Sequence, residues 1–385
     1  LPEPRKGSLN TLRELLNLGP DDGVWALYVG CLVQALRPES QYPPLVLHGE
    51  HGSAKTTAAK IFRKLIDPNT SDLRSPPKNE ENIRVQARNG WVLGYDNLSG
   101  VPDWLSDALC RISTGGGMST RQLYTNTDEV IFDGTRPIVL NSIEEIATKS
   151  DLMDRAVILK LPPIPEVNRL GDKELWKRFN AAHPYILGGL LDAVSIGLRN
   201  LAQVRLDRKP RMADFAEWAV ACEPSFGVPE GTFLAAYKDN RDDANRSAIE
   251  AAIIGPYIQQ LISDRPGGDW SGTMTELLAE LGQIAPETIT RQTNWPKRPN
   301  VLSNKLTTII PNLRAEGIHI EKDKKDRNTK TVRIHSKGSE NIVSSVSIVS
   351  PSLAINTGDD GDDGDDVSTD FRSTTTRKSD AIFEH

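Results

Sequence analysis

A glycine-punctuated turn that ends in Lys55, Thr56 and Thr57 is the stretch of sequence with the clearest chemistry. An apolar run, 45–47, leads into the turn, and residues 58–65 continue it as a predicted helix. In loops of this kind backbone N–H groups surround phosphates, a lysine contacts the β- and γ-phosphates, and a Thr hydroxyl holds Mg²⁺. The start of the helix adds a partial positive charge. The predicted nucleotide-binding residues are Gly49, Glu50, His51, Gly52, Ser53, Ala54, Lys55, Thr56 and Thr57.

Ala54 departs from the pattern G-x-x-x-x-G-K-[ST], because it stands where the second glycine belongs. Alanine is the least costly replacement for glycine, provided that its φ angle is negative. The alternative is a strand, turn and helix with a solvated Lys55. The agreement of strand, loop and helix signals favours phosphate binding.

Asp96 ends a second apolar run about forty residues after the loop. An acid at a strand end beside a phosphate loop can hold Mg²⁺ directly or through water, so Thr56 and Asp96 are the predicted metal ligands. The next residue is Asn97, which can orient a water molecule but cannot take its proton. Slow hydrolysis, or another base such as Glu50, is therefore expected.

Two further elements carry polar residues that suit this chemistry. A strand ending in Asn141 can place an amide near the γ-phosphate if it lies between the loop strand and the Asp96 strand. Before it, glycines at 115–117 allow a protruding hairpin, on which Arg121 and Tyr124 are candidates for contact with a nucleic-acid strand. An ordinary solvated hairpin is the open alternative.

Arg155 follows an Asp-Leu-Met-Asp segment and precedes an apolar run at 156–161. An arginine in such a loop can reach a γ-phosphate held by a neighbouring subunit. The alternative is a local ion pair with Asp151 or Asp154.

Composition and pattern predict how the chain is organised. At 385 residues, with 38% hydrophobic and 25% charged residues, it is typical of a soluble, cytoplasmic, multidomain protein, and no apolar run predicts a membrane span. Cys31, Cys110 and Cys222 are expected to be buried free thiols. The lack of an initial Met suggests a piece of a longer product.

Alternating apolar runs and helices predict an α/β fold with a mostly parallel sheet covered on both faces. The expected units are a nucleotide-binding core with N-terminal helices at 1–165, a helical region at 166–265, a small domain at 266–337 and a disordered acidic tail at 338–385.

The order of these elements resembles the AAA+ core of superfamily 3 helicases, in particular the phage and mobile-element primase-helicases. The resemblance rests on the phosphate loop and on segments 95–99, 114–116, 136–141 and 151–155. It implies that Lys55 and Thr56 bind ATP and Mg²⁺, that Asp96 binds Mg²⁺, that Asn141 is a sensor and that Arg155 is a finger supplied in trans. It also implies a homo-hexamer that draws a single DNA strand through a central channel.

The segment 266–337 is similar to the winged helix that often follows such cores. Two predicted helices precede a hairpin with a basic tip, a pattern that suits phosphate contacts to a DNA duplex. Nearby acids dilute the charge, so a solvated turn stays open as the alternative. The predicted DNA-contacting residues of this unit are Lys297, Arg298, Lys305, Lys324 and Lys325.

These patterns favour a DNA-dependent ATPase motor, either a replicative helicase or a replication initiator of a phage or integrated element. A second hypothesis is a nucleotide-controlled switch that binds origin DNA and hydrolyses little ATP, which Asn97 would favour. A monomeric small-molecule kinase fits less well, because it explains neither Arg155 nor the C-terminal unit.

Overall fold

The computed structural model describes residues 1–115, 118–121, 129–132, 134–142, 150–324 and 330–336. The predicted disordered tail at 338–385, Tyr124 and Lys325 lie outside these residues.

The described elements are these, in chain order. The strands are β1 (Leu45–His48), β2 (Leu93–Leu98), β3 (Met118–Arg121), β4 (Glu129–Phe132), β5 (Ile138–Ser142), β6 (Val157–Lys160), β7 (Asp269–Thr273), β8 (Ile318–Lys324) and β9 (Lys330–Ser336). The helices of the first half are α1 (Asn10–Leu15), α2 (Asp22–Ala35), α3 (Lys55–Ile66), α4 (Glu80–Arg88), α5 (Asp103–Thr114) and α6 (Ser150–Met153). Those of the second half are α7 (Asp172–Asn200), α8 (Ala213–Cys222), α9 (Thr232–Ala251), α10 (Gly255–Ser263), α11 (Met274–Ile284), α12 (Glu287–Thr290) and α13 (Pro299–Ala315).

Several helices begin at side chains that cap their first turn. The Asp21 carboxylate accepts a hydrogen bond from Gly23 N (2.7 Å) at the start of α2. Thr273 and Glu276 form a reciprocal capping box at the start of α11. Because these contacts satisfy N–H groups that have no partner within the helix, the local sequence fixes where each helix starts.

The central sheet of the described chain is parallel, with strand order β2-β5-β1-β6. Successive residues of its strands enter different hydrophobic cores: Leu45 and Leu47 belong to a first core, and Val46 belongs to a second. Side chains of a strand alternate between the faces of a sheet, so both faces are covered. The predicted parallel, doubly covered sheet is confirmed.

The first core joins the N-terminal helices to the helices that follow β6. Trp25 of α2 donates its indole N–H to Phe226 O (2.8 Å), and Trp218 of α8 donates to Val33 O (3.1 Å); both tryptophans are almost fully buried. A fully buried aromatic side chain contributes on the order of 2–3 kcal/mol relative to an exposed one. The helices of 166–265 therefore share their core with residues 9–66 and do not form a separate layer of their own.

Helix α9 also covers an edge of the central sheet. The side chain of Asn240 accepts a hydrogen bond from Ile158 N (3.0 Å) and donates one to Ile158 O. This side chain replaces a neighbouring strand, so the exposed peptide of β6 is satisfied and protected from pairing with another chain.

Helix α7 is 29 residues long. With the residues up to Gln203, its length and composition alone would allow it to cross a membrane, which is weak evidence because core helices of soluble proteins pass the same test. Its face formed by residues such as Phe179, Ile186 and Leu190 is buried in the first core.

The C-terminal unit is an antiparallel sheet of order β7-β9-β8 packed against α10, α11 and α13. The predicted hairpin is confirmed as β8 and β9, with Ile320 paired to Ile334. Strand β7 is an addition to the two helices and the hairpin that the sequence predicts for this unit. The core of this unit also includes α10, which had been assigned to the helical region. The three predicted free thiols are buried and unpaired, as expected.

Candidate nucleotide-binding site

The loop between β1 and α3 is held in a conformation that only certain residues adopt readily. Gly52 has a φ of 79°, and a left-handed φ of 62° occurs at Ala54, directly before α3. The expectation that Ala54 would be benign required a negative φ, so it is wrong. A residue with a Cβ pays roughly 1–2 kcal/mol for this conformation, which explains why the pattern has glycine there.

Lys55, the first residue of α3, turns its side chain back over the loop. Its ammonium donates to Gly49 O and Glu50 O, both at 2.7 Å, and lies 3.4 Å from Ser53 Oγ. Burial lowers the pKa of Lys55, and the charge of Asp96 partly offsets this effect. An ammonium has three N–H donors, and the contact with Ser53 is long, so donor capacity remains for an anion at the loop.

Thr56, Asp96 and Asn141 come together at the carboxyl edge of the sheet. Thr56 Oγ1 donates to Asp96 Oδ1 (3.1 Å), and Asn141 Nδ2 donates to Thr56 Oγ1 (3.3 Å). Strand β5 lies between β1 and β2, so the predicted placement of the Asn141 strand is confirmed. We call Lys55, Thr56, Asp96 and Asn141 the loop cluster.

Asn97 is fixed through its backbone. Its N–H donates to the buried Asn141 Oδ1 (2.6 Å), and its φ is 55°, where Asn is tolerated better than most residues. The pairing of β2 with β5 shifts register between Tyr95 and Leu98. As a result the side chain of Asn97 is exposed beside Asp96.

The oxygen atoms of the loop cluster suit a hard cation. A hydroxyl and a carboxylate, completed by phosphate and water, are what Mg²⁺ takes in nucleotide sites. Among the described residues no group of three or more His, Cys, Asp or Glu side chains could hold a metal by itself. Thr56 and Asp96 therefore fit a metal that a nucleotide brings with it.

Arg155 lies in a different cluster. It forms an ion pair with Asp151, the alternative that the sequence left open, while Asp154 pairs with Arg211 and Arg241. We call these five residues the arginine cluster. Burial raises the pKa of Asp151, but the hydrogen bond and charge of Arg155 and the charge of Arg211 outweigh this and lower it below the ordinary value.

The arginine cluster and the loop are at opposite ends of the strands. The arginine cluster is at the edge formed by their amino ends, and the loop is at the edge formed by their carboxyl ends. Strands β1 and β6 are parallel, with Leu45 beside Val157 and His48 beside Lys160. Arg155 precedes β6, whereas the loop follows β1. Three residues of strand separate the two edges by about 10 Å, so Arg155 does not lie at the loop of its own chain.

Sequence reasoning missed a segment that lies against the loop. Residues 161–169, which we call the post-β6 segment, follow the last strand of the sheet. Leu161 N donates to His48 O (2.8 Å), and Ile164 N donates to Gly52 O (3.3 Å). Asn17 ties this segment to the loop, because its amide donates to Pro162 O (2.6 Å) and to Ser53 O (3.2 Å). No sequence motif marks these contacts.

The candidate DNA-contacting residues fall into two places. Arg121 ends β3 of a two-stranded antiparallel sheet with β4, in agreement with the predicted hairpin. In the C-terminal unit, the ammonium of Lys297 donates to Thr290 O, Arg298 directly precedes α13, Lys305 is half-buried on α13 and Lys324 ends β8.

A cavity of about 320 Å³ lies elsewhere, among the ends of α7, α8 and α9. Glu223 lines it and accepts hydrogen bonds from Gly231 N (3.0 Å) and Phe233 N (2.6 Å); burial raises the pKa of Glu223, and these bonds lower it in part. None of the lining residues belongs to the loop cluster.

Comparison with known families identifies the chain. Residues 9–247 match the family model described as the actinomycete integrative conjugative element replication protein, and residues 254–348 match the AICE RepA C-terminal domain. The first match alone covers more than half of the chain. The protein therefore belongs to this family of replication proteins of mobile elements.

Solved structures with some likeness include the apo A form of the NrS-1 C-terminal region, at 14% identity and a TM-score of 0.42, covering 87% of this chain and 77% of that one. A structure of SCCmec type IV Cch, described as an active helicase, matches at 11% identity and a TM-score of 0.42, covering 86% and 70%. A JCV helicase with a bound small organic compound matches at 13% identity and a TM-score of 0.21, covering 57% of this chain and 65% of that one. No curated protein sequence gives a significant match.

Proposed function

We propose that this replication protein is an ATP-driven DNA motor of the helicase type, which acts in replication of its element. The observation that carries the proposal is the loop cluster. A strand, loop and helix hold the ammonium of Lys55 over the loop, and Thr56, Asp96 and Asn141 are joined to one another by hydrogen bonds. This combination is what phosphoryl transfer requires, because that chemistry depends on positioning and charge stabilisation.

Each residue has a role in the proposed reaction. Lys55 holds the β- and γ-phosphates, and Thr56 and Asp96 hold Mg²⁺, which neutralises charge on the phosphates when bound. Asn141 fixes Thr56 through its amide and the Asn97 backbone through its carbonyl, so one side chain orients both sides of the site. Asn97 orients the attacking water.

The proposal includes a ring in which Arg155 reaches the site of a neighbouring copy. Arg155 and the loop lie at opposite edges of the sheet, so a contact with phosphate must come from another chain. The ion pair that Arg155 must leave is with Asp151, whose side chain is half exposed, whereas that of Arg155 is largely buried. A homo-hexamer is the assembly we propose.

Duplex DNA is the proposed partner of the C-terminal unit, which we interpret as a winged helix. Lys322 of β8 donates to Thr307 Oγ1 of α13 (2.8 Å), which holds the hairpin against that helix. Arg298 and Lys305, at the start of and along α13, and the hairpin lysines then supply phosphate contacts.

The test is steady-state ATP hydrolysis with and without single-stranded DNA. We expect Mg²⁺-dependent turnover that single-stranded DNA increases, and a loss of about 100-fold or more in Lys55→Ala. Lys60→Ala, one turn further along α3, is the matched control and should behave as wild type. Mass determination with a non-hydrolysable ATP analogue measures the assembly. Equal turnover in Lys55→Ala and wild type would contradict the proposal.

Asn97 favours a second function, an origin-binding switch that binds ATP but hydrolyses it very slowly. An amide cannot accept the proton of the attacking water, which a carboxylate could take. The switch predicts tight ATP binding without measurable turnover, together with duplex binding that strengthens when the ATP analogue is present.

A further inference from the structure

The post-β6 segment brings a second cation to the loop. The guanidinium of Arg169 lies next to Gly52: a Cβ atom placed on Gly52 would be 3.2 Å from Arg169 Nη2 and 3.7 Å from its Cζ. Arg169 is far from the loop in sequence and belongs to none of the motifs described above. No local sequence pattern predicts its position beside Gly52.

Backbone contacts hold Arg169 at this place. Its Nε donates to Ile164 O (3.3 Å), and Ile164 N in turn donates to Gly52 O (3.3 Å). The anchor of Asn17 on Ser53 O and Pro162 O fixes the same segment from the other side. The guanidinium is thus attached to the loop through a short chain of hydrogen bonds.

The charge of Arg169 has no acidic partner in the part of the chain that the structure describes, since no carboxylate there lies within 4.0 Å of it. The side chain is exposed, and its Nε alone is used, so both terminal nitrogens keep their donors. Arg178, by comparison, binds Glu174 (2.8 Å).

Gly52 is the residue that leaves room for this approach. Its φ of 79° favours glycine, and a side chain at this position would point toward the guanidinium. Backbone N–H groups of such a loop surround phosphate, so the terminal nitrogens of Arg169 lie within reach of an anion that the loop holds.

We propose that Arg169 is a further phosphate-binding residue of this site, contacting the nucleotide from the side opposite α3. This inference rests on the proposed function, because it takes the loop to be a nucleotide site. Arg169 binds substrate phosphate through charged hydrogen bonds, and it discriminates nucleotides from nucleosides. Helix α7 starts three residues later, at Asp172, so the same contact links the bound nucleotide to the helical region.

The test is calorimetric binding of ATP, ADP and adenosine to the full chain. Arg169→Ala should weaken ATP and ADP about tenfold or more, as expected for hydrogen bonds to a charged group, and should leave adenosine binding unchanged. Arg169→Lys, which keeps the charge but not the fork of donors, should lie in between. Arg178→Ala is the matched control, an exposed arginine whose loss should not change nucleotide affinity.

Three outcomes separate this inference from the proposed function. If wild type binds ATP, Lys55→Ala does not, and Arg169→Ala binds as well as Arg178→Ala, the role of Arg169 is wrong and the nucleotide site stands. If Arg169→Ala weakens adenosine as much as ATP, the contact is to the base and the phosphate assignment is overturned. If wild type binds no nucleotide, both proposals fail together.

Discussion

The loop cluster and the arginine cluster lie at opposite ends of the strands of one sheet. They differ in the groups that their charged side chains contact. In the arginine cluster Arg155 pairs with Asp151, Arg241 pairs with Asp154, and Arg211 pairs with both aspartates. In the loop cluster Lys55 binds only backbone carbonyls and a hydroxyl, and Asp96 accepts from a neutral hydroxyl.

The difference indicates which edge is prepared for a ligand. Lys55 and Asp96 interact electrostatically but form no direct ion pair, so both keep atoms available for a ligand and its metal. Charges held in direct ion pairs are typical of structural contacts. The arginine cluster therefore holds α6 to α9 within one chain, and Arg155 can act as a finger only when a second chain offers it phosphate in place of Asp151.

The largest expected effect tests this second role directly. We expect Arg155→Ala to lower ATP turnover by about 10³-fold, as in enzymes that use an arginine finger, while ATP affinity stays within experimental error of wild type. Turnover and calorimetric binding measure the two effects. The control is Arg246→Ala, which removes another arginine from a local pair with Asp243 and should leave turnover unchanged.

Mixing decides whether Arg155 acts between chains. Arg155→Ala and Lys55→Ala, combined before nucleotide is added, should regain part of the activity, because mixed rings contain interfaces with an intact loop facing an intact arginine. Specific activity should also fall on dilution. Constant turnover per chain at all concentrations, with no recovery on mixing, would contradict a shared site. Arg155 would then have only a structural role within its own chain.

Asp96→Asn tests the unpaired charge of the loop cluster. The amide keeps the size and can still accept the hydrogen bond from Thr56, but it is a poorer Mg²⁺ ligand. We expect turnover to fall about 100-fold and the Mg²⁺ concentration needed for half-maximal activity to rise. Glu81→Gln on the exposed face of α4 makes the same change of group elsewhere. Retention of wild-type Mg²⁺ dependence in Asp96→Asn would remove Asp96 from the metal site.

Substitution of Asn97 is expected to have a smaller effect on ATP turnover. Its φ of 55° is strained for Glu but tolerated by Asp, so Asn97→Asp adds a carboxylate at little conformational cost. If the missing base limits hydrolysis, turnover should rise about tenfold, a modest share of what general bases supply. Asn97→Ala, which removes the amide that orients water, should lower turnover modestly. A fall in Asn97→Asp would mean that orientation of water by the amide matters more than a base at this position, and that the missing base does not limit hydrolysis.

Some of this site could be predicted from the sequence, for a physical reason. Residues at the ends of parallel strands must meet at one edge of the sheet, so Thr56, Asp96 and Asn141 follow from the apolar runs that precede them. The strand order then decides whether they touch, and the placement of β5 beside β1 was a correct prediction.

Other features depend on contacts that no local pattern reveals. Arg169 approaches Gly52 only because the post-β6 segment folds back over the loop, and Arg211 and Arg241 reach Asp154 from distant helical segments. Strand β7 was missed because Gly267 and Gly268 favour a linker, although Trp270 is buried and pairs with Ile334. The sequence made the tolerance of Ala54 depend on a negative φ angle, but the sign of that angle is set by the folded loop, where it is positive.

The smallest effect concerns that strained alanine at the loop. We expect Ala54→Gly to raise the free energy of unfolding by about 1 kcal/mol, because glycine adopts a left-handed φ without the Cβ clash. The greater freedom of glycine in the unfolded chain reduces this gain in part. Ala58→Gly, one turn into the same helix, should instead lower it by about 1 kcal/mol or more. Urea unfolding of both variants, with and without ATP, measures the pair. If the strain also restricts the loop, Ala54→Gly should bind ATP more tightly than wild type. A loss of stability in both variants would show that Ala54 is not strained in solution.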